Sequence, residues 1–421
     1  MRISEHQNKL PLILITQSFP FGLPESSFLK EEIKSLSKKF NVHIVSRNVE
    51  YIQYVQVPSN VILYRYNVKK DYYIFKLFFL TLFSVNFYKE LIDVFYKKKF
   101  NFYNIRKSIS VHMRTLHFYN YLKKVRSKID GTVIFYSYWN VYSCFAATLA
   151  KKKGDFIISR LHGGDLYELE INGFYQPYKR IYNKKVDLFS FISNKGLTYF
   201  NNTYYDVSDK AMVNYLGVPE HKTSYTFTNR RNIKIVSFSY VRDIKRIDRI
   251  IDSLSIIDEV DVEWVHIGGR YIFEQVKDYA KLKLMDKKNI HYKFLGEMKN
   301  EDALNYISCH EFDFLVNVSS TEGMPMTMME AFSMSLPVIG TMVGGVPEVV
   351  KHGINGYLLN IDFTNNDFVK ILLDYRDLPF STKCMIRENA KNTWKDNFYD
   401  VQNYDSFTDL LITKFNDCKY N

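Results

Sequence analysis

The sequence is poor in glycine and proline, with 17 and 10 among 421 residues, and it holds four cysteines, Cys144, Cys309, Cys384 and Cys418. The first shortage excludes a linker-like or low-complexity chain, which stays unpacked through just those residues. The cysteines show no C-x-x-C and no histidine at metal-ligand spacing. That argues against a disulfide framework or a zinc site and for reduced thiols in a cytosolic protein. Long apolar runs are also lacking. Residues 72–88 are interrupted by Lys76 and fall short of the roughly 20 residues that span a bilayer. The N-terminal stretch has an apolar core of only Leu10 to Ile15 and no small-residue cleavage site, so it reads as a first strand and not as a secretion signal. What is present is a chain with 16% aromatic residues, too long for one ordinary core and expected to form two domains.

Charge is unevenly placed. Of the net +12, +11 falls between Lys69 and Lys128, where fourteen Lys and Arg meet three acids, Asp71, Glu90 and Asp93. Within it, residues 72–107 are dense in Phe, Leu and Tyr and include Lys97, Lys98 and Lys99. Aromatic and basic residues together suit the headgroup layer of an anionic membrane, where each cation contributes about 1 kcal/mol. The same composition also fits a core helix with solvated lysines. Nucleic acid is disfavoured, because no recognised binding module accompanies the patch.

Strand and helix alternate in two runs. Strands are expected at 10–16, 41–46, 132–136, 156–160 and 188–193, with helices at 27–38, 146–152 and about 175–183. The second run has strands at 233–239, 263–267, 291–295, 314–318, 337–340 and 356–359, with a helix at 246–255. The reading is α/β, with two doubly wound parallel sheets of Rossmann-like kind. Residues 1–220 are expected as the first domain, 221–232 as a polar linker, 233–392 as the second domain, and 393–421 as a helical tail crossing back to the first. Ligands of such sheets bind beyond the carboxyl ends of the strands, so the two domains are expected to face a cleft.

The most informative stretch is SSTEGMPMTMMEAFSMSLPVIGTMVGGVPEVV, residues 319–350, with Glu322 and Glu330 eight positions apart. Residues 314–318 read as a buried strand, 319–324 as a loop, and Pro325 as the first residue of a helix to about Ser335. Such a helix leaves amides near Met326, Thr327 and Met328 without partners at the positive end of its dipole, a place for a diphosphate. Glu330 would lie roughly 7 to 8 Å further along the axis, within reach of a ribose. Glu322 precedes the helix, on the side of the sugar.

Glu322-x7-Glu330, with Glu322-Gly323-x-Pro325, Gly344-Gly345-x-Pro347-Glu348 and His352-Gly353-x-x-Gly356, resembles the C-terminal half of retaining family 4 glycosyltransferases. Phe28 to Ser46, Tyr136 to Trp139 and Ser159 to Tyr167 look like the N-terminal domain of members that assemble bacterial exopolysaccharide, capsule and O-antigen. The resemblance implies the GT-B fold. It also implies transfer of a sugar from a nucleoside diphosphate, such as UDP, to a saccharide or lipid-linked saccharide with retention at the anomeric carbon. It implies no cofactor and no metal, and no Asp-x-Asp sequence of the metal-dependent kind occurs. The expected location is cytoplasmic, peripheral on the cytoplasmic face of the membrane.

By the same resemblance, Glu322 orients the donor sugar or balances its charge, Glu330 grips the ribose, and Gly323, Met324, Pro325, Met326 and Thr327 line the donor. Backbone near Gly296 and Glu297 contacts the base. Lys245 occupies the lysine of the family's Arg-x4-Lys phosphate clamp, but Tyr240 stands in the arginine position, with Arg242 as the candidate substitute. The first loop keeps one glycine, Gly22, where members commonly carry two. His162 is expected near the reacting sugar, and Asp165 near the acceptor or holding the loop. The missing arginine and glycine are also compatible with a non-catalytic binding or scaffolding subunit, and a phosphorylase or epimerase on the same fold would use a similar site.

Overall fold

The computed structural model describes residues 9–47, 52–66, 74–168 and 175–420. These fall into two units, Met1–Tyr215 with Asn403–Asn421, and Leu216–Gln402. The sheet of the first unit contains β1 (Leu10–Thr16), β2 (Phe40–Ser46), β3 (Ile62–Arg65), β4 (Ile134–Ser137), β5 (Phe156–Leu161), β6 (Leu188–Phe191) and β7 (Ala211–Val213). That of the second contains β8 (Ile233–Phe238), β9 (Val262–Ile267), β10 (Ile290–Phe294), β11 (Phe314–Asn317), β12 (Val338–Thr341) and β13 (Gly356–Leu359). Their orders are β3-β2-β1-β4-β5-β6-β7 and β10-β9-β8-β11-β12-β13, and neighbouring strands run parallel.

Central strands covered on both faces read as continuous apolar runs, which is why Leu12, Ile13, Leu14 and Ile15 of β1 are all buried. The two doubly wound sheets expected from the sequence are therefore present. The edge strands β3 and β7 were not anticipated. They are four and three residues long, too short to carry a periodic signal.

Each sheet reverses direction once, between β1 and β4 in the first unit and between β8 and β11 in the second. The two crossovers leaving such a pair run to opposite faces, so a crevice opens at the carboxyl ends of those two strands. The loops that follow β8 and β11 are the ones carrying Lys245 and Glu322.

Two boundaries differ from expectation. Residues 221–232 are no free linker, because their polar groups have partners within the second unit. His221 meets Ser333 at 3.1 Å, the Ser224 amide donates to the Ser308 carbonyl, and Arg230 reaches Asp313 at 2.8 Å. The expected tail helix from Thr393 is two helices, Phe380–Asn397 and Asp400–Tyr420, and the chain rejoins the first unit only at Asn403. There Phe407, Leu411 and Phe415 pack in one apolar cluster with Leu12, Leu14, Leu29 and Tyr136. Arg160, fully buried, donates to Glu32 at 2.5 Å and to Asn214 at 2.6 Å, and its guanidinium lies 4.4 Å from the ring centre of Phe407.

The basic, aromatic region forms three helices, Ile74–Leu82, Val85–Tyr96 and Phe102–Arg126, while Lys69, Asp71 and Tyr72 lie outside the described residues. No helix among the described residues is long and apolar enough to cross a membrane.

Phe407 is fully buried in the seam between the returning helix and the first sheet. Phe407→Ala is expected to cost about 3 to 5 kcal/mol, the usual range for a buried phenylalanine left as a cavity. Denaturant unfolding will measure it, and amide exchange of residues 403–420 is expected to accelerate in the same variant.

Candidate functional site

The second unit's site begins with a steric requirement. Gly344 has φ of +49°, and a Cβ placed on it would lie 1.5 Å from the carbonyl oxygen of Glu322. Only glycine allows the turn after β12 to lie flat on the loop after β11. The next residue, Gly345, donates its amide to the Gly323 carbonyl at 2.7 Å. The Ser320 amide donates to the Ile244 carbonyl at 2.8 Å, and Thr341 donates its hydroxyl to the Ser319 carbonyl at 2.5 Å. Residues 319–323 are thereby tied to the turns after β8 and β12.

On this loop Glu322 is held by three donors. One of its oxygens, Oε1, accepts from Lys245 Nζ at 2.6 Å, Asn317 Nδ2 at 3.0 Å and Ser319 Oγ at 2.7 Å. Lys245, expected at the diphosphate, and Glu322, expected at the sugar, are therefore in direct contact. Arg246 fixes the same corner, donating from Nε to the Val318 carbonyl at 2.7 Å.

The helix expected from Pro325 runs from Met326 to Ser333, with Pro325 as its N-cap at ψ of 110° and not its first turn. The Met328 amide donates to the Pro325 carbonyl at 3.2 Å, so of the three amides expected without partners it is satisfied locally. Those of Met326 and Thr327 remain as first-turn amides, which have no acceptor within their own helix. Further along the same helix Glu330 is buried, with Asn300 Nδ2 donating to it at 3.1 Å. Burial pushes its carboxyl up to about 7, against the pull of that hydrogen bond.

Three more turns meet at the carboxyl ends of β8, β9 and β10. A Cβ on Gly268 would lie 1.8 Å from the Ser239 carbonyl, and the Gly268 amide donates to the Gly296 carbonyl at 2.8 Å. Gly296 is left-handed, with φ of +73°. Here Tyr240, in the expected arginine position, has the Arg270 guanidinium 4.8 Å from its ring centre. Arg270 also donates from Nε to Glu297 at 2.7 Å, and Arg242 lies 5.1 Å from the ring centre of Tyr271. Two guanidinium groups and two phenol rings thus share one surface.

In the first unit, Gly22 caps the helix Leu23–Lys39, and a Cβ there would fall 2.4 Å from Ser18 Cβ. The turn closes on Glu25, whose carboxylate accepts from the amides of Gln17, Ser18 and Phe19 and from Trp139 Nε1. His162 is buried, its ring 4.4 Å from that of Trp139 and 4.8 Å from that of Tyr138. Burial, with Arg160 nearby, holds its pKa well below the usual histidine value, so it is a neutral imidazole. Asp165 turns back onto its own loop, accepting from the amides of His162 and Asn140, both at 2.6 Å. Burial raises its carboxyl to about 6, opposed chiefly by the charge of Lys179. Lys179 Nζ binds the carbonyl of Asp165 at 2.6 Å and Asn140 Oδ1 at 2.5 Å. Of the two roles expected for Asp165, these contacts describe the holding of the loop.

Residues 232–374 match the family described as glycosyl transferases group 1. The second unit carries a glycosyl transferase group 1 domain. Among curated proteins, N-acetyl-alpha-D-glucosaminyl L-malate synthase of Bacillus anthracis is 25% identical over 222 residues, 49% of this chain and 55% of that protein. The chain thus spans about half the length of that relative. Among solved structures, the lipopolysaccharide outer core galactosyltransferase WaaB superposes with a TM-score of 0.68 at 17% identity, covering 96% of this chain and all of the other. Anabaena Alr3699/HepE in complex with UDP-glucose gives 0.63 at 14% identity, covering 96% and 99%. These whole-chain likenesses establish the GT-B fold.

The group 1 domain brings together Glu322, Gly323, Lys245 and the start of the helix that ends past Glu330, and the first unit brings together His162, Asp165, Trp139 and Gly22. Sequence reasoning missed Arg270, Asn300, Asn140 and Lys179. Arg270 follows Gly268-Gly269 in a turn whose geometry only the fold supplies. Asn300 and Lys179 act across 30 and 39 residues of sequence, where no local spacing marks them.

The clearest structural test of the group 1 domain is Gly344→Ala. The added methyl cannot fit against the Glu322 carbonyl, so the turn must move and the positive φ becomes strained, costing about 1 to 3 kcal/mol or more. Thermal unfolding is expected to fall by several degrees, whereas Gly353→Ala, whose Cβ would meet nothing within 4 Å, is expected to fall less.

Proposed function

We propose that the protein is a retaining glycosyltransferase that moves a sugar from a nucleoside diphosphate to a saccharide or lipid-linked saccharide in cell-surface polysaccharide assembly. It would act at the cytoplasmic face of a membrane and without a metal cofactor. The observation that carries the reading is the contact of Lys245 with Glu322 at the switch point of the second sheet, beside the start of the helix bearing Glu330. The relatives support it, since one neighbour is named a galactosyltransferase of lipopolysaccharide and another is described with UDP-glucose.

The chemistry makes charge. As the bond from sugar to phosphate weakens, the diphosphate gains negative charge and the sugar becomes cation-like. Lys245 and the amides of Met326 and Thr327 would stabilise the leaving group more strongly in the transition state than in the ground state. A diphosphate drawing the Lys245 ammonium toward itself would loosen its hold on Glu322, which could then face the positive sugar. Arg242 and Arg270 are the available sources of the second cation that Tyr240 does not supply. Gly296 and Glu297 would offer backbone to the base, and Glu330 would accept from the ribose hydroxyls. His162, neutral and packed against two rings, would present an imidazole to the sugar. Asp165 would keep that loop in place on the acceptor side.

The alternative, a non-catalytic member that binds donor without turnover, is favoured by Tyr240 and by the single glycine, Gly22, of the first loop. Thermal unfolding with saturating UDP, GDP, ADP or CMP separates them in part, because a ligand at about 100 times its dissociation constant adds roughly 2.7 kcal/mol of stability. A shift with one nucleotide is expected. With its sugar donor and a lipid-linked acceptor, Glu322→Gln is expected to retain that shift and lose turnover by orders of magnitude. Preserved turnover would remove Glu322 from the chemistry.

The raised pKa of Glu330 gives a pH dependence. Its ionised form accepts from ribose, and that form is depleted below about 7. Nucleotide affinity is therefore expected to fall as pH drops from 8 to 6, approaching tenfold per unit below the pKa. Calorimetric titration of wild type beside Glu330→Gln checks this, since phosphate titration of the ligand is common to both and only the wild type should show the extra loss.

A further inference from the structure

The helices Ile74–Leu82 and Val85–Tyr96 bury few side chains and expose most of their apolar ones. Their buried side, packed on the helix Phe102–Arg126, joins Leu77, Phe87 and Val94 to polar groups. Thr81, Glu90, Asn104, Ser108, His112 and Thr115 are all buried there. His112 bridges the layers, with Nδ1 3.1 Å from Thr81 Oγ1 and Nε2 3.1 Å from Ser84 Oγ. The tyrosine hydroxyl of Tyr175 donates to Glu90. The outer side is aromatic and aliphatic. Phe75, Phe83, Tyr96 and Phe102 are 79%, 83%, 79% and 80% exposed, and Phe79, Val85, Tyr88, Ile92 and Phe95 are also exposed. An exposed apolar surface of this extent on a folded protein marks a contact with something other than water.

We infer that this pair of helices is a lipid-inserting hairpin, whose rings enter the headgroup boundary of an anionic bilayer while its buried polar contacts hold it rigid. The inference builds on the membrane location proposed above and does not need the transfer reaction. Charge selects the occupant. Lys76, Lys89, Lys98 and Arg106 are exposed among the rings, within the segment that carries +11 of the net charge. A two-fold contact with a second copy would set these cations against each other, whereas an anionic surface meets them with opposite charge. The lysine run is a lesser part of the contact than its sequence implies, since Lys97 is paired with Asp93 at 2.9 Å and Lys99 with Glu168 at 2.5 Å. Ring burial, which salt does not screen, carries the attachment.

The test is flotation of the full chain with vesicles of seven parts phosphatidylcholine to three parts phosphatidylglycerol. Wild type is expected to float, and to keep most of its binding when salt is raised from about 0.1 to 0.5 M, a range over which exposed ion pairs are largely screened. The combined variant Phe75→Ser, Phe79→Ser, Phe83→Ser is expected to lose at least tenfold in vesicle partition while keeping the wild-type thermal shift with nucleotide, which shows that it is folded. Lys97→Ser with Lys99→Ser is expected to lose less. A second readout is Phe83→Trp, whose fluorescence should be quenched by brominated lipid. Absence of flotation by wild type, equal flotation by the ring variant, or no quenching at position 83 overturns the inference. So does a wild-type dimer that the ring variant abolishes, because a second copy would then cover the rings. A nucleotide shift that is absent while flotation holds would instead defeat the transferase reading alone.

Discussion

Everything in the second unit's site depends on two backbones lying closer than a side chain permits. Gly344 sits against the Glu322 carbonyl where a methyl group has no room, and Gly345 clasps Gly323. With that contact made, the loop after β11 has one position. Its carboxylate then meets the lysine that the loop after β8 delivers, and the helix Met326–Ser333 begins where the loop ends. The parallel sheet sets the stage, since strand order places β8 and β11 side by side at the point where the winding reverses. Remove the glycine contact and the strands still pair, but the charged groups lose the frame that orients them.

The first unit solves a similar problem with buried polar chemistry. At the carboxyl ends of its strands, carboxylates do the bracing. Glu25 gathers three backbone amides and the Trp139 indole, and Asp165 gathers two amides while Lys179 ties its carbonyl to Asn140. Each such group would be costly if left unpaired at this depth, so the loops are held in single conformations. The result is a neutral His162 packed against two aromatic rings, an imidazole kept from charging by its surroundings. The returning helix closes this unit from the outside, with Arg160 and Phe407 joining a buried ion pair to an apolar seam.

Much of this was legible in the residues. Strands covered on both faces read as apolar runs, and β1 and β11 announce themselves that way, whereas β5 buries Arg160 and β8 carries Lys234. Glycine and proline at 323, 325, 344, 345 and 347 mark the turns, and at Gly344, with φ of +49°, a side chain has no room. The limits are equally physical. Edge strands of three or four residues have no period to detect. Residues 221–232 looked like a linker because polar side chains are read as solvated until their partners, Ser333, Asp313 and Ser308, are known. Pro325 could be taken as a first-turn residue, since its φ suits both positions and only ψ separates them.

The sequence by itself determined the two parallel sheets, the carboxylate pair on a strand-to-helix junction, and a basic segment dense in rings, since all three follow from local composition and spacing. Tertiary structure alone decided which charges touch. It paired Lys245 with Glu322, lodged Arg270 on the ring of Tyr240, folded Asp165 onto its own loop, and turned most rings of the first helical pair outward while Thr81 and Glu90 went in. Those outcomes depend on contacts between residues tens of positions apart, and a contact of that kind has no signature until the chain has closed the loop between its partners.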